Sequence, residues 1–497
     1  MKRNDMTHEL VRSLSKSEKR FFQLQSRTTD REQKNYLLVF DVLSSTKTYD
    51  GHVLLTGLKG KKMNLSYEKK YLQEQIMRSL RNFHTGLSSA TILYDALRDI
   101  EVLFKKRLNT LCFARVRSAQ AFAEQYENYP ALLALIDYES KLISRTGDYE
   151  KLWNYRKEGY IKKTGALQAC EQITHAECLV FEATVILQRK GSSASTEEKE
   201  KLRGIRAGLK RLLKDSRKSF LLEELCLIGL YLCTTINGGL KESYRYSRRT
   251  VGLYWKNEWQ LHDRPGRFFA SSINLVNRCI LLGEYDEAWR WLEKTKNAME
   301  DLRKPAIQEM YEELMPVIYS LAFRISAGRA DFAKGLELAK EFDRFEKNIS
   351  VPLRANTIIS MRLHIARLHF GAAEYAKALQ KLNQVINWKQ TELQEDLVQF
   401  AYLFRLLVYY EMKKYELLEN QLASVSRFFS SKWSANKKGA LICKALHDVL
   451  HAKSKTAETT LLQQFKKRFR KHLRQEYMEH EYADFIRWVD ATLGKGT

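Results

Sequence analysis

A short turn signature recurs along this chain. Gly283-Glu284-Tyr285-Asp286-Glu287-Ala288 follows an apolar helical run (Leu275, Val276, Cys279, Ile280) and opens another (Trp289, Leu292). The glycine and the acid make a tight turn, and the aromatic two positions after the glycine wedges between the paired helices. Ala288 is small enough to let their backbones approach. The same grammar recurs at Gly147-Asp148-Tyr149 with Leu152 in the small-residue slot, and at Ala330-Asp331-Phe332 with Gly335. It returns at Ala373-Glu374-Tyr375 with Ala378 and at Lys413-Lys414-Tyr415 with Leu418, and Gly238-Gly239-Leu240 with Ser243 is a weaker instance. From position 240 to 285, 332, 375 and 415 the steps are 45, 47, 43 and 40 residues. The 91 residues from 149 to 240 make two such periods, with a turn at Gly191 to Ser195 in their middle. A period of this length with two helices in each unit predicts a stack of helical hairpins, each burying its apolar face only against its neighbours.

Helix breakers are scarce enough to allow this, with 5 prolines and 22 glycines in 497 residues. A hydrophobic share of 44 % with 11 % aromatic belongs to a folded chain and excludes wholesale disorder. The residues at the 283–288 turn resemble the tetratricopeptide repeat, whose period is about 34, so these hairpins would have longer helices. The expected fold is all-α: a right-handed tetratricopeptide-like α-solenoid of roughly six to eight hairpins over 87–497. A small helical N-terminal module over 1–86 precedes it.

In that module Ser15-Lys16-Ser17-Glu18 reads as a capping box ahead of Phe21, Phe22 and Leu24. Further helices are expected from Tyr36 to Leu43, from Tyr49 to Leu58 and, after the basic turn Lys59-Gly60-Lys61-Lys62, from Leu65 to His84. On the last of these Leu72, Ile76, Leu80 and Phe83 form one stripe, and Lys70, Arg78 and Arg81 cluster on the opposite side. Short helices with a basic turn fit a helix-turn-helix or winged-helix module. The segments LSKSEKRFF (Leu14 to Phe22), KNYLLVFDVL and MRSLRNFH (Met77 to His84) resemble an uncharacterised family of Bacteroidota proteins. That resemblance implies a small N-terminal helical module followed by a tetratricopeptide-like array, a cytoplasmic setting, and no particular chemistry.

The opening MKRNDMTHELVRSL carries charge and no apolar core, so no signal peptide is expected. The longest apolar stretch, near Leu225 to Cys233, is about half of what a bilayer span needs, so no membrane insertion is expected. Seven scattered cysteines without a C-x-x-C pair fit a reducing cytoplasm, with Cys170, Cys178, Cys226 and Cys233 acting as small hydrophobes. Catalytic signatures are missing. Gly57-Leu58-Lys59-Gly60-Lys61 lacks the phosphate-loop spacing, and His175-Ala176-Glu177-Cys178 has no following P-C-x-x-C. His447 and His451 sit one helical turn apart without a third metal ligand, and His364 and His369 read as packing residues. No enzyme, cofactor or metal is expected.

Binding remains. If the tetratricopeptide register holds, the position eight before each turn aromatic faces the inner side, which selects Asn277, Arg324 and Arg367. Such a row suits a carboxylate, because arginine binds one bidentately and asparagine can also donate. Leu407 breaks the row in the next hairpin and leaves an apolar surface with Phe400, Leu403 and Tyr410. The expected partner is therefore a protein or peptide of acidic character. The net charge of +25 supports an alternative, a nucleic-acid-binding regulator whose module meets phosphates through Lys61, Lys62, Lys70, Arg78 and Arg81. Three other basic segments, Arg189 to Lys218, Tyr244 to Arg249 and Lys466 to Lys471, read either as solvated helix faces or as nucleic-acid contacts.

Overall fold

The computed structural model describes residues 5–27, 35–46, 48–58, 63–86, 88–190, 195–215, 219–236, 239–302, 308–349, 352–388, 395–431, 436–473 and 482–494. Among them every regular element is an α-helix, and no strand forms that could serve as a wing. The chain divides into two compact units, Met1–Ile161 and Lys162–Thr497.

In the first unit α1 (Met6–Ser13), α2 (Lys16–Arg27), α3 (Asn35–Ser45), α4 (Gly51–Gly57) and α5 (Leu65–Phe83) share one core, built on Val11, Phe22, Val39, Phe40, Leu54, Leu72 and Ile76. The capping box forms: Ser15 accepts from the Glu18 amide at 3.2 Å, and the Ser15 amide donates to the Glu18 carboxylate at 2.7 Å. The stripe on α5 is buried at Leu72 and Ile76, but Phe83 is exposed and meets the rings of Phe21 and His84 edge-on. Three helices of 16 or 17 residues follow, α6 (Ser89–Lys105), α7 (Asn109–Gln125) and α8 (Tyr129–Ser144), each packed on the next.

The next helix, α9 (Tyr149–Lys190), runs 42 residues without interruption. It is followed by α10 (Thr196–Asp215) and α11 (Phe220–Ile236). Three helices, one of them double length, thus fill the 149–240 interval where two hairpins were expected. Gly159 and Gly165 are the sole breaker residues in α9, and a lone glycine lowers helix stability only by about 1 kcal/mol without ending the helix. Cys178 is exposed and Cys170 half-buried on this helix, which corrects their expected role as core residues; Cys226 and Cys233 are buried on α11, and burial pushes their thiols up to about 12 and about 11.

The second unit continues through α12 (Leu240–Lys256), α13 (Glu258–Asp263), α14 (Pro265–Leu282), α15 (Tyr285–Asp301), α16 (Gln308–Gly328), α17 (Phe332–Asn348), α18 (Ala355–Gly371) and α19 (Tyr375–Ile386). The last five are α20 (Glu395–Glu411), α21 (Tyr415–Ser430), α22 (Lys437–Leu450), α23 (Lys455–Leu473) and α24 (Ala483–Gly494). Successive helices pack on each other, and α14, α16, α18, α20 and α22 also pack each against the next in that row.

One backbone device makes the turns. Gly283, Ala330, Ala373 and Lys413 all adopt left-handed φ between 55° and 81°. Each donates to the carbonyl three residues back, and its successor donates five back, as in Glu284 to Cys279 (2.9 Å) and Glu374 to His369 (2.8 Å). This is the Schellman closure of a helix end. The small-residue slot is buried at Ala288, Gly335, Ala378 and Leu418. The aromatic, however, reaches beyond its own hairpin. A Cβ on Gly328 would lie 2.1 Å from the Tyr285 ring, and one on Gly371 would lie 2.1 Å from the Phe332 ring. The wedge therefore seats on a glycine at the end of the next helix of the α14–α16–α18 row. Tyr149 has no such seat and is 82 % exposed.

Two substitutions should move stability in opposite directions. Gly371→Ala forces the Phe332 ring aside and should destabilise by about 1–3 kcal/mol. Ala373→Gly relieves a left-handed alanine and should stabilise by about 0.5–1 kcal/mol. Urea unfolding of the two variants beside the wild type measures both signs.

Candidate functional site

Asn277, Arg324 and Arg367 stand near the ends of α14, α16 and α18, helices that pack in one row. Arg324 donates Nη1 to Asn277 Oδ1 at 2.6 Å, so these two members engage each other first. Arg367 donates Nε to a carboxylate, and the acid is Asp484 on α24, 117 residues further along the chain. The guanidinium of Arg367 also lies 5.9 Å from the Phe400 ring. The expected partner of the arginine row, a carboxylate, is thus supplied by the chain itself.

The expected apolar surface at Phe400 and Tyr410 is corrected in the same way. Phe400 is 4 % exposed, stacked on Phe404 at 5.5 Å, with Tyr482 and Phe485 edge-on at 5.8 and 6.2 Å. Tyr410 donates to Glu458 at 2.7 Å and meets the Trp488 ring edge-on at 5.4 Å. Helix α24 covers both. It begins with an acid in its first turn, then places Phe485, Trp488 and Val489 on one buried face by the i, i+3, i+4 rule.

Polar contacts fix its register. Trp488 Nε1 donates to Glu411 at 2.7 Å, and Arg487 donates to Tyr285 Oη at 3.0 Å. At its far end Asp490 pairs with Lys466 on α23. A cleft of about 290 Å³ stays open beside it, walled by Phe332, Phe370 and Tyr375 from one side and by Trp488 and Thr492 from the other.

His364, one turn before Arg367, shares a hydrogen bond of 3.1 Å with Ser320 Oγ. Burial, then the charges of Arg367 and Arg324, hold its imidazole well below the usual histidine range. His369 is also lowered by burial, against the opposing pull of Glu374 at 2.7 Å.

The remaining candidates are dispersed. Lys70, Arg78 and Arg81 are exposed along one side of α5, with exposed Glu74 among them at four-residue spacing; Lys61 and Lys62 lie outside the described residues. The rings of His447 and His451 stack at 4.5 Å, and His451 bonds a backbone carbonyl and Glu419, so their nitrogens do not converge. Among the described residues no three His, Cys, Asp or Glu side chains group to hold a metal ion, and no helix is long and apolar enough to cross a membrane. No family model matches this chain, and no curated protein matches it.

Sequence reasoning missed Asp484, Arg487 and Trp488. The amphipathic spacing of Phe485, Trp488 and Val489 was visible, but a contact across 117 residues has no local signature.

Neutral His364 gives a signed pH dependence. Its folded-state pKa lies below the unfolded value, so the unfolded chain takes up the proton first as pH falls. The stability it supports is complete above about pH 6.5 and declines below it by at most about 1.4 kcal/mol per pH unit. Urea unfolding between pH 5 and 8 should show this slope in the wild type, and a flatter one in His364→Gln.

Proposed function

We propose that this chain is a non-enzymatic cytoplasmic adaptor, a tetratricopeptide-like α-solenoid that holds a helix of a partner protein on the shared face of α14, α16, α18 and α20. The observation that carries this reading is the seating of α24. Arg367 holds a carboxylate in the first turn of an amphipathic helix, while Phe400, Phe404 and Tyr410 take that helix's aromatic side chains. A face that binds one such helix by charge and aromatic contact has the chemistry to bind another. Asn277 and Arg324 extend the polar row beyond Arg367.

The test is affinity capture on the full chain after nuclease treatment. The wild type should retain a stoichiometric partner that Arg324→Ala/Arg367→Ala loses, with helical circular dichroism unchanged. Equal capture by both proteins removes this reading.

The exposed basic side of α5 favours a second reading, a nucleic-acid-binding regulator that uses Lys70, Arg78 and Arg81 with Lys61 and Lys62. Affinity for duplex DNA should then fall steeply with salt, and each lysine or arginine replaced by alanine should lower the logarithmic salt slope by about one. A salt-insensitive interaction contradicts it.

A further inference from the structure

We propose that α24 is a displaceable internal ligand, and that the groove beneath it accepts a partner helix presenting a carboxylate with aromatic side chains one and four positions later. The inference rests on the adaptor reading and specifies its ligand. In α24 these positions are Asp484, Phe485 and Trp488, set respectively against Arg367, the Phe400/Phe404 rings, and Glu411 with Tyr410.

Two observations mark α24 as an occupant that can leave. Its fit leaves room beside it: a solvent-open cleft of about 290 Å³ lies between it and the Phe332, Phe370 and Tyr375 side chains. A partner helix with a bulkier residue at the position of Thr492 fills that space, which α24 does not. At 12 residues, moreover, α24 is too short to stay helical by itself in water. Its structure depends on its seat, so its release is a local unfolding step. Because α24 belongs to the same chain, an incoming helix meets competition and binds with an apparent affinity lowered by the fraction of closed molecules.

The charges decide in favour of a partner protein helix over an unselective apolar one. Arg367 is buried with Asp484 as its counter-charge, and an incoming helix without a carboxylate there would leave that guanidinium desolvated and uncompensated. The probe is a fluorescent peptide of residues 482–494, titrated into the full-length wild type and into full-length Asp484→Lys/Trp488→Ala. The peptide should bind the variant at least about tenfold more tightly than the wild type, and adding Arg367→Ala should abolish that gain. Equal affinity for both proteins, or binding to neither, overturns the proposal. So does a light-scattering mass showing that the variant pairs with a second copy of the chain instead.

Hydrogen exchange on the wild type keeps the test decisive should the variant not fold. The α24 amides should exchange at least about a hundredfold faster than those of α18 and α20. Exchange of all three together, only through global unfolding, also overturns it. Fast α24 exchange with peptide binding, alongside extract capture indifferent to Arg324 and Arg367, would leave the internal ligand standing and remove the adaptor reading alone.

Discussion

The ion pair of Arg367 and Asp484 ties the last helix, α24, to α18. Each side chain keeps only about a tenth of its surface in water, at 10 % and 12 % exposure. Desolvating two charges is unfavourable unless their geometry and neighbours compensate, and here the neighbours do. Arg367 faces the Phe400 ring, and Arg487 on α24 lies 3.4 Å from the other oxygen of Asp484. Around this pair Phe485 and Trp488 are buried, so one charged contact and one aromatic face together set where the last helix lies. Beside this pair, burial and then the charges of Arg367 and Arg324 hold the His364 imidazole well below the usual histidine range.

The seat for that helix is made by the turns. Left-handed residues at Gly283, Ala330 and Ala373 close the helices that begin each hairpin, and the aromatics after the first two, Tyr285 and Phe332, dock on a glycine in the next one. Because Tyr285 and Phe332 bridge hairpins in this way, the residues eight positions before each turn fall into register. Asn277, Arg324 and Arg367 therefore form a row. Tyr285 has a second task, since its hydroxyl accepts from Arg487 of α24. Turn, row and final helix share side chains, and a change in one is felt by the others.

Much of this was legible in the sequence. Turn residues declare themselves because left-handed backbone and tight helix approach restrict the side chains allowed, so the positions of α14 to α21 followed from a local pattern. The Arg324 and Arg367 row was legible for the same reason, being a fixed offset from those turns. What could not be read was occupancy. Whether Phe400 is a surface or a floor depends on a helix 85 residues away, and no periodicity encodes that contact. The doubled helix α9 escaped for another reason: spacing alone cannot distinguish two helices from one when nothing between Tyr149 and Lys190 forbids continuation.

A double-mutant cycle on Arg367 and Asp484 tests the central claim most directly, because it isolates the contact that places the final helix on the row. Unfolding free energies of Arg367→Ala, Asp484→Ala and the double variant yield a coupling term free of what each residue does elsewhere. For a largely desolvated pair the account expects a favourable coupling of about 1–3 kcal/mol. Strictly additive effects would mean that the two side chains do not meet, and that the groove is closed by something other than its own last helix.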